Sequence, residues 1–229
     1  MLMRPVQLPR LEGHRRILRS ASRMSSGCPE VPRFASGHPF LRPFSANNYL
    51  IRPHPVAMLV SKTVTEGCGE MSLIEELYSE TFPKEEKVPF RNLLRTEGKG
   101  GRMLSFSEDG AFAGFAYMFS SGDLTFLVYL AVLPECRGKG YGAQAVDIIR
   151  KSSEGRVFSV MEKPDCGFSD PAACAKRRRF YERNGCTVPG IDLVSDGYVF
   201  DAIFLGEPIP ADEMQDAVRF YESVHNGKC

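Results

Sequence analysis

The stretch that decides the fold is residues 124–151, LTFLVYLAVLPECRGKGYGAQAVDIIRK. Its first ten residues are dense in Leu, Val, Phe, Thr and Tyr, which is typical of a buried β-strand. Pro134 ends that strand, because proline cannot donate a hydrogen bond to a sheet ladder. Apolar residues then recur at helical spacing from Ala145 to Ile149, so we expect a helix to begin within the glycine run that precedes them.

The link between this strand and this helix carries three glycines at alternate positions, Gly138, Gly140 and Gly142, with Arg137 and Lys139 beside them. A helix that begins in such a turn points unpaired N–H groups at one spot, and the helix dipole favours an anion there. A glycine turn can also serve only to reverse the chain. The strand, the two cations and the helix together favour a phosphate-binding loop.

The spacing Arg137-x-x-Gly140-x-Gly142 resembles the acetyl-CoA signature of the GNAT superfamily of acetyltransferases. The resemblance implies that backbone amides of this loop hold the pyrophosphate of coenzyme A, and that acetyl-CoA is the co-substrate. The loop residues implied to bind it are Arg137, Gly138, Lys139, Gly140, Tyr141 and Gly142.

A second segment supports the resemblance. Phe180-Tyr181-Glu182 followed by Gly185 is similar to the family motif Phe-Tyr-Glu-x-x-Gly-Phe, with Cys186 where an aromatic residue is usual. The resemblance covers roughly residues 56–207 and implies an α/β fold of GNAT type. That fold has a mixed, mostly antiparallel seven-stranded sheet flanked by helices.

Periodicity and turn signals place the elements in the order strand, two helices, three strands, helix, strand, helix, two strands and a last helix. Asp170 is expected to cap the fourth helix, with Pro171 at its first position. The predicted strands are 56–65, 103–106, 111–119, 124–133, 156–161, 187–194 and 198–205. The predicted helices are 71–81, 89–96, one opening in the glycine run, 171–183 and 212–224.

Acetyl transfer to an amine needs the thioester held, its carbonyl polarised, the amine deprotonated and the thiolate protonated. The resemblance implies that backbone N–H groups around Ala131 and Val132 polarise the carbonyl. It also implies that Tyr181 protonates the thiolate, whose thiol has a pKa of ~8.5. Tyr181 could instead only pack its helix against the sheet.

The candidate general base is Glu162, at the end of the strand that follows the helix opened by the glycine run. It could take a proton from an amine of pKa ~10, directly or through water; a solvated carboxylate at a strand end fits the same position. Asn184 either contacts the cofactor or caps its helix. The basic run 176–179 is expected to be a solvated helix face, because the folded region is net acidic and nucleic acid is not an expected partner.

Two other functions remain as alternatives. Gly140-x-Gly142-x-x-Ala145 with Glu162 some 20 residues on also fits a loose dinucleotide fingerprint. Against it, residues 134–139 separate the strand from the glycines, and only about 65 residues follow Glu162, too few for a doubly wound sheet. A catalytically silent CoA-binding module would carry the same loop as an enzyme.

Residues 1–60 differ in composition from the rest of the chain. They carry nine Arg, no Lys, only Glu12 and Glu30, and eight of the 16 prolines. Such a composition does not favour a packed domain, so we expect a disordered extension at 1–57 and the acetyltransferase domain at 58–229. A targeting presequence is one alternative. Translated sequence upstream of a start at Met58 or Met71 is the other.

Cysteine and histidine usage narrows the chemistry. Seven cysteines without a C-x-x-C pair do not favour a disulfide framework or a zinc site, and fit a reducing compartment such as the cytoplasm. Three of the four histidines precede residue 58, and His225 lies in the polar tail. No histidine is therefore expected inside the folded region, which argues against most hydrolases and metalloenzymes, and no metal is expected.

The expected partner is a small-molecule or peptide amine, with a homodimer left open. No run reaches 18 apolar residues, so the sequence predicts no membrane-spanning helix.

Overall fold

The structure, a computed structural model, describes residues 58–84, 87–164 and 170–225. All of them belong to one unit of the chain, Arg52–Cys229. The expected extension at 1–57 lies outside the described residues, as do the first two residues of the predicted strand 56–65.

The described residues form seven strands and five helices in the predicted order. The strands are β1 (Val60–Thr63), β2 (Gly101–Glu108), β3 (Ala111–Ser121), β4 (Leu124–Val132), β5 (Arg156–Glu162), β6 (Asp192–Ser195) and β7 (Tyr198–Phe204). The helices are α1 (Met71–Thr81), α2 (Phe90–Leu94), α3 (Tyr141–Ser152), α4 (Pro171–Arg183) and α5 (Ala211–His225), and a 3₁₀ turn follows β4 at Pro134–Cys136.

The seven strands form one sheet in the order β1-β2-β3-β4-β5-β7-β6. Only β4 and β5 run parallel; the other neighbouring pairs are antiparallel. The predicted mixed, mostly antiparallel sheet is thereby confirmed. A dinucleotide-binding domain would need a mainly parallel sheet, so the loose fingerprint around Gly140 does not reflect that fold.

Local signals fixed some boundaries well. α4 begins as predicted, because the Asp170 side chain accepts a hydrogen bond from the Ala172 N–H at 3.1 Å and Pro171 occupies the first position. The predicted strand 187–194 was wrong in its first half. There Thr187 forms only an isolated bridge to Phe204, and β6 begins at Asp192 after Pro189 and Gly190 interrupt the extended chain.

Two apolar clusters cover the two faces of the sheet. One packs α1, α2 and α5 on one face, and the other packs α3 and α4 on the opposite face. Side chains of β4 alternate between them, as a strand requires: Phe126 belongs to the first cluster and Leu127 to the second.

His225 is a buried residue, contrary to the prediction from the polar tail. Its side chain is 6% exposed, its Nδ1 lies 2.8 Å from the Tyr221 carbonyl oxygen, and its Nε2 lies 3.0 Å from the Tyr117 hydroxyl. The Tyr117 hydroxyl also lies 2.7 Å from the Thr96 hydroxyl. α5 runs one residue further than predicted, so His225 continues the buried stripe of Val218 and Tyr221 at helical spacing.

The edge strand β6 is covered by α5. The Gln215 side-chain amide donates to the Val194 carbonyl and accepts from the Val194 N–H, each at 2.8 Å. Two turns further along α5, the Glu222 carboxylate accepts from the Ser195 hydroxyl at 2.7 Å and from the Asp196 N–H at 2.9 Å. These bonds fix the tip of the β6–β7 hairpin.

Candidate active site

β4 and β5 separate halfway along their length. Their pairing runs from Leu124–Arg156 to Leu127–Ser159 and stops there, although β4 continues to Val132. At the point of separation the Ser159 hydroxyl donates to the Leu127 carbonyl at 2.8 Å. The second half of β4 thus keeps β3 as its ladder partner and faces a gap on its other side.

A bulge in β4 coincides with this separation. Tyr117 pairs with Tyr129, but the next residue of β3 pairs with Leu127, so Val128 is an extra residue on β4. Val128 and Tyr129 consequently pack on the same face of the sheet, whereas Leu130 and Val132 belong to the opposite face. One short segment of β4 therefore lines cavities on both faces.

The ladder with β3 determines which amides of β4 face the gap. The Leu133 N–H donates to the Ala113 carbonyl at 2.9 Å, and hydrogen-bonding residues alternate along an antiparallel ladder. Ala131 lies two residues earlier and pairs with Phe115, so its N–H is also directed at β3. Of the two predicted residues, Val132 is the one whose N–H is directed at the gap.

The glycine loop follows the 3₁₀ turn and opens α3. Gly138 and Gly140 have φ values of +78° and +85°, which only glycine adopts at low cost, and Gly140 is the N-cap of α3. The Gly140 carbonyl accepts the first helical bond, from the Gln144 N–H, so the amides of residues 141–143 have no acceptor within the helix. The loop is thereby suited to an anion.

A groove lies between this loop and α4, with a volume of about 680 Å³; we call it the α3–α4 groove. Its walls are Leu130 and Val132 of β4, the glycine loop, and the inner face of α4. Its described cationic lining residues are Arg137, Lys176, Arg177 and Arg183, with no carboxylate among the lining side chains. The groove therefore matches a ligand that carries several phosphates.

The predicted loop residues contribute unequally to this groove. Arg137 is exposed, and its Nε donates to the Val132 carbonyl at 3.2 Å. Lys139 is exposed and does not line the groove. The Tyr141 side chain is 2% exposed, and the nearby Glu108 carboxylate raises the pKa of its phenol to about 12. Tyr141 can thus offer a ligand its backbone, while Gly142 leaves room for the Phe180 ring, 2.9 Å from where a Cβ would stand.

The basic run on α4 was wrongly predicted to be only a solvated face. Lys176 and Arg177 line the groove, and Arg178 donates to the Asp201 carboxylate of β7 at 2.9 Å. The sequence showed four consecutive cations but not which side of α4 faces the glycine loop. The available signal was the spacing of Arg177, four residues before Tyr181, which places the two side chains on one face of the helix.

Tyr181 lies at the inner end of the groove, on α4, with 7% of its surface exposed. Burial raises the pKa of its phenol to about 12, although the nearby Arg177 charge acts in the opposite direction. Ser159 lowers the Tyr181 pKa by a smaller effect, and its own hydroxyl donates to the Leu127 carbonyl where β4 and β5 separate. Tyr181 is therefore a protonated donor placed beside the gap between β4 and β5.

Glu162 is not a solvated carboxylate. Its side chain is 9% exposed and forms an ion pair with Arg177 of α4. Glu162 lines a second cavity, on the opposite face of the sheet from α3 and α4, which we call the β6–β7 pocket. This pocket has a volume of about 80 Å³ and is built by β4, β5, the β6–β7 hairpin, α5 and Val88 before α2.

Asn184 caps its helix, which was one of the two roles predicted for it. Its Nδ2 donates to the Phe180 carbonyl at 2.7 Å, and its own carbonyl accepts from Arg150 at 2.7 Å. Asn184 also borders the α3–α4 groove, so a contact with a bound ligand stays a prediction.

No group of three or more His, Cys, Asp or Glu side chains within the described ranges could hold a metal ion. Among the helices that the structure describes, none has the length and apolar character needed to cross a membrane.

Solved structures share this fold. An acetyltransferase of the GNAT family from Bacillus cereus ATCC 10987 is 15% identical, with a TM-score of 0.50 over 67% of this chain and 99% of its own. A protein assigned to the same family from Bacteroides thetaiotaomicron is 18% identical, with a TM-score of 0.58 over 72% of this chain and 96% of its own. At these identities the likeness concerns the fold. No curated protein matches the sequence.

The sequence itself matches the acetyltransferase (GNAT) family over residues 71–185, just over half of the chain. The match runs from the start of α1 through the glycine loop to the end of α4, so it contains both motifs and the two strands that separate. The chain therefore belongs to the GNAT family of acetyltransferases.

Proposed function

We propose that this protein moves the acetyl group of acetyl-CoA to an amine by direct attack in a ternary complex. One observation carries the proposal: the α3–α4 groove and the β6–β7 pocket approach the same gap from opposite faces of the sheet. The groove is lined by Leu130 and Val132, and the pocket by the adjacent Val128 and Tyr129. Two ligands that enter from the two sides would therefore meet at the separation of β4 and β5.

The α3–α4 groove fits coenzyme A on its own chemistry. Free amides at the start of α3 and four cationic lining residues suit its phosphates. The groove ends at the part of β4 that no longer pairs with β5, and an extended arm could lie along that edge. Acetyl-CoA supplies the acetyl group as a thioester. Val132 would donate its N–H to the thioester carbonyl and so stabilise the negative charge that develops there.

Two side chains would then move protons. Glu162 would accept one proton from the bound ammonium group, directly or through water, and leave a neutral amine able to attack. As the new C–N bond forms and the C–S bond breaks, the electron pair of the C–S bond goes to sulfur. As the C–N bond forms, the attacking nitrogen becomes acidic and releases its second proton to solvent. Tyr181 would give its phenolic proton to the sulfur and regain one from solvent, so that the products are the acetylated amine, CoA thiol and the one proton that Glu162 passes on to solvent.

A direct assay tests the proposal. The full chain should release CoA thiol from acetyl-CoA only when an amine is present, and mass spectrometry should find the amine heavier by one acetyl group. Release of thiol without an acetylated amine would indicate hydrolysis. Tight CoA binding with no turnover on any amine would indicate a silent CoA-binding module instead.

A further inference from the structure

The β6–β7 pocket has an aromatic lining. Five of its lining side chains carry rings: Phe126, Tyr129, Tyr198, Phe200 and Tyr221. Four of them are at most 8% exposed, whereas Tyr198 is 39% exposed and stands at the mouth. Aromatic faces attract cations and provide apolar contact for a hydrocarbon body.

The charges of the pocket are acidic. The charged side chains that line it within the described part of the chain are Glu162 and Asp196, and no described lysine, arginine or histidine lines it. Arg177 neutralises Glu162 from the groove side. Behind the hairpin tip, Glu222 adds a further carboxylate, bound to the Asp196 N–H.

A ligand carboxylate would therefore be poorly accommodated. Among the described residues that line the pocket it would find no cationic side chain to replace water, and it would approach Asp196, a like charge. An ammonium group meets the opposite conditions. The pocket volume of about 80 Å³ is several times the ~10–15 Å³ needed to hold one water molecule, so it admits an ammonium group and a few carbon atoms.

We propose that the acceptor is a primary amine on an apolar body without a carboxylate beside the nitrogen, that is, an alkyl or arylalkyl monoamine. Free α-amino acids are poor acceptors at this site. The enclosed part of the pocket takes the aminoalkyl end, and the body of the amine lies against Tyr198. This inference rests on the proposed function, because it names the amine used in that reaction.

Three compounds that share one ring test it: phenethylamine, phenylalaninamide and phenylalanine. They differ only in what the α-carbon carries, namely hydrogen, a neutral amide or a carboxylate. We expect kcat/KM for phenylalanine to be at least roughly tenfold below that of the other two, because only it brings a charge that Asp196 repels. Isoamylamine should exceed leucine by a similar factor.

Asp196→Asn should lower the ratio of kcat/KM for phenethylamine to kcat/KM for phenylalanine by roughly threefold or more, since it removes the like charge. The matched control is Asp216→Asn, which neutralises an exposed carboxylate on the outside of α5 that is paired with Arg219. The control should leave the ratio unchanged. Phenylalanine acetylated as well as phenethylamine, or a peptide beginning with phenylalanine preferred over both amines, would overturn the proposal.

Calorimetry of the same compounds with the protein–CoA complex separates this inference from the proposed function. Preferential binding of the amines without turnover would leave the pocket assignment standing and refute catalysis. Turnover of amino acids in preference to amines would support catalysis and refute the pocket assignment.

Discussion

The Arg177 guanidinium and the Glu162 carboxylate form an ion pair whose two members line different cavities. Arg177 borders the α3–α4 groove, and Glu162 borders the β6–β7 pocket on the other face of the sheet. Protonation of Glu162 would weaken the pair and leave the Arg177 charge to act on its other neighbours, of which Tyr181 is one. The pair thus couples, in electrostatic terms, the side chain proposed to take a proton to the one proposed to give a proton.

Glu162→Gln keeps the size and hydrogen-bonding capacity of the side chain but removes the charge. We expect kcat to fall by roughly 10²-fold or more, because the amine loses its proton acceptor. The free energy of unfolding should fall by only about 1–2 kcal/mol, since solvent reaches the half-exposed guanidinium of Arg177.

The matched control for this variant is Asp201→Asn. Asp201 is a carboxylate of β7, 10% exposed, which pairs with the neighbouring Arg178 of α4. It should lower stability by a similar amount and leave kcat within about twofold. Equal losses of kcat in both variants would show that Glu162 acts only by holding α4 to the sheet.

Tyr181→Phe removes one hydroxyl and leaves the ring. We expect kcat to fall by roughly 10²–10⁴-fold, the usual weight of one general acid, while the Kd for CoA stays unchanged. The fall in kcat should be smaller with an acetyl thioester of a more acidic thiol, because its thiolate leaves without being protonated. Since burial raises the pKa of Tyr181 to about 12, native activity should show no decline from its ionisation below about pH 11.

Tyr117→Phe is the control, because Tyr117 is equally buried and lines neither cavity. It should lower stability through its lost bonds to Thr96 and His225 but leave kcat intact. Native turnover by Tyr181→Phe would make Tyr181 a packing residue.

Gly140→Val tests the phosphate-binding loop. Gly140 has φ +85° and open space around it, so valine would meet backbone strain, not a clash. We expect the loop to shift, the amides at the start of α3 to move, and the Kd for acetyl-CoA to rise roughly tenfold or more. Gly142 is less suitable, because a side chain there would strike Phe180.

Gly122→Val supplies the comparison for this variant. Gly122 has φ +60° and equally open surroundings, but it lies in the turn at the start of β4, the end away from the glycine loop. Both variants should lose about 1–2 kcal/mol of stability. If both bind acetyl-CoA as the native protein does, the ligand does not contact this loop.

The sequence-based predictions were accurate where the residues that carry the signal lie close in the chain to the feature they predict. α1 and α4 were predicted to the residue, because Pro83, Asp170 and Pro171 act within one turn of the helix ends. The two motifs pointed to the α3–α4 groove because they lie in the two chain segments, the glycine loop and α4, that form its walls.

What the sequence could not supply depends on contacts far apart in the chain. The rotation of α4 on the sheet decides that Lys176 and Arg177 line the groove. The rotation of α5 decides that His225 is buried against Tyr117. The Val128 bulge is equally invisible, since a strand of apolar residues looks the same with or without an extra one.

The buried His225 should make stability depend on pH. Burial lowers its pKa, so the unfolded chain binds its proton more readily than the folded chain does. The stability that comes from burying neutral His225 is therefore fully present above the unfolded pKa of ~6.5 and is lost as the pH falls below that value. His225→Gln should flatten this part of the curve measured by urea unfolding between pH 5 and 8. Parallel curves for the two proteins would contradict it.

A chain that starts at Met58 should retain fold and activity. It keeps Leu59, whose N–H donates to the Gln144 side chain of α3 at 2.8 Å, and all of β1. We expect its melting temperature to lie within about 5 °C of the full chain, a shift that corresponds to losing no more than about 2 kcal/mol in a domain of this size. Insolubility, or loss of acetyl-CoA binding, would show that the domain needs residues before Met58.

The two hydrogen bonds of Gln215 to Val194 have a consequence for behaviour at high concentration. An edge strand normally exposes a backbone donor and acceptor to which another chain can add by strand pairing, which is a common route to aggregation. At β6 both groups of Val194 are already used by a side chain of the same molecule. Gln215→Ala would uncover them, and its first effect should appear in light scattering as association rather than in the rate of acetyl transfer.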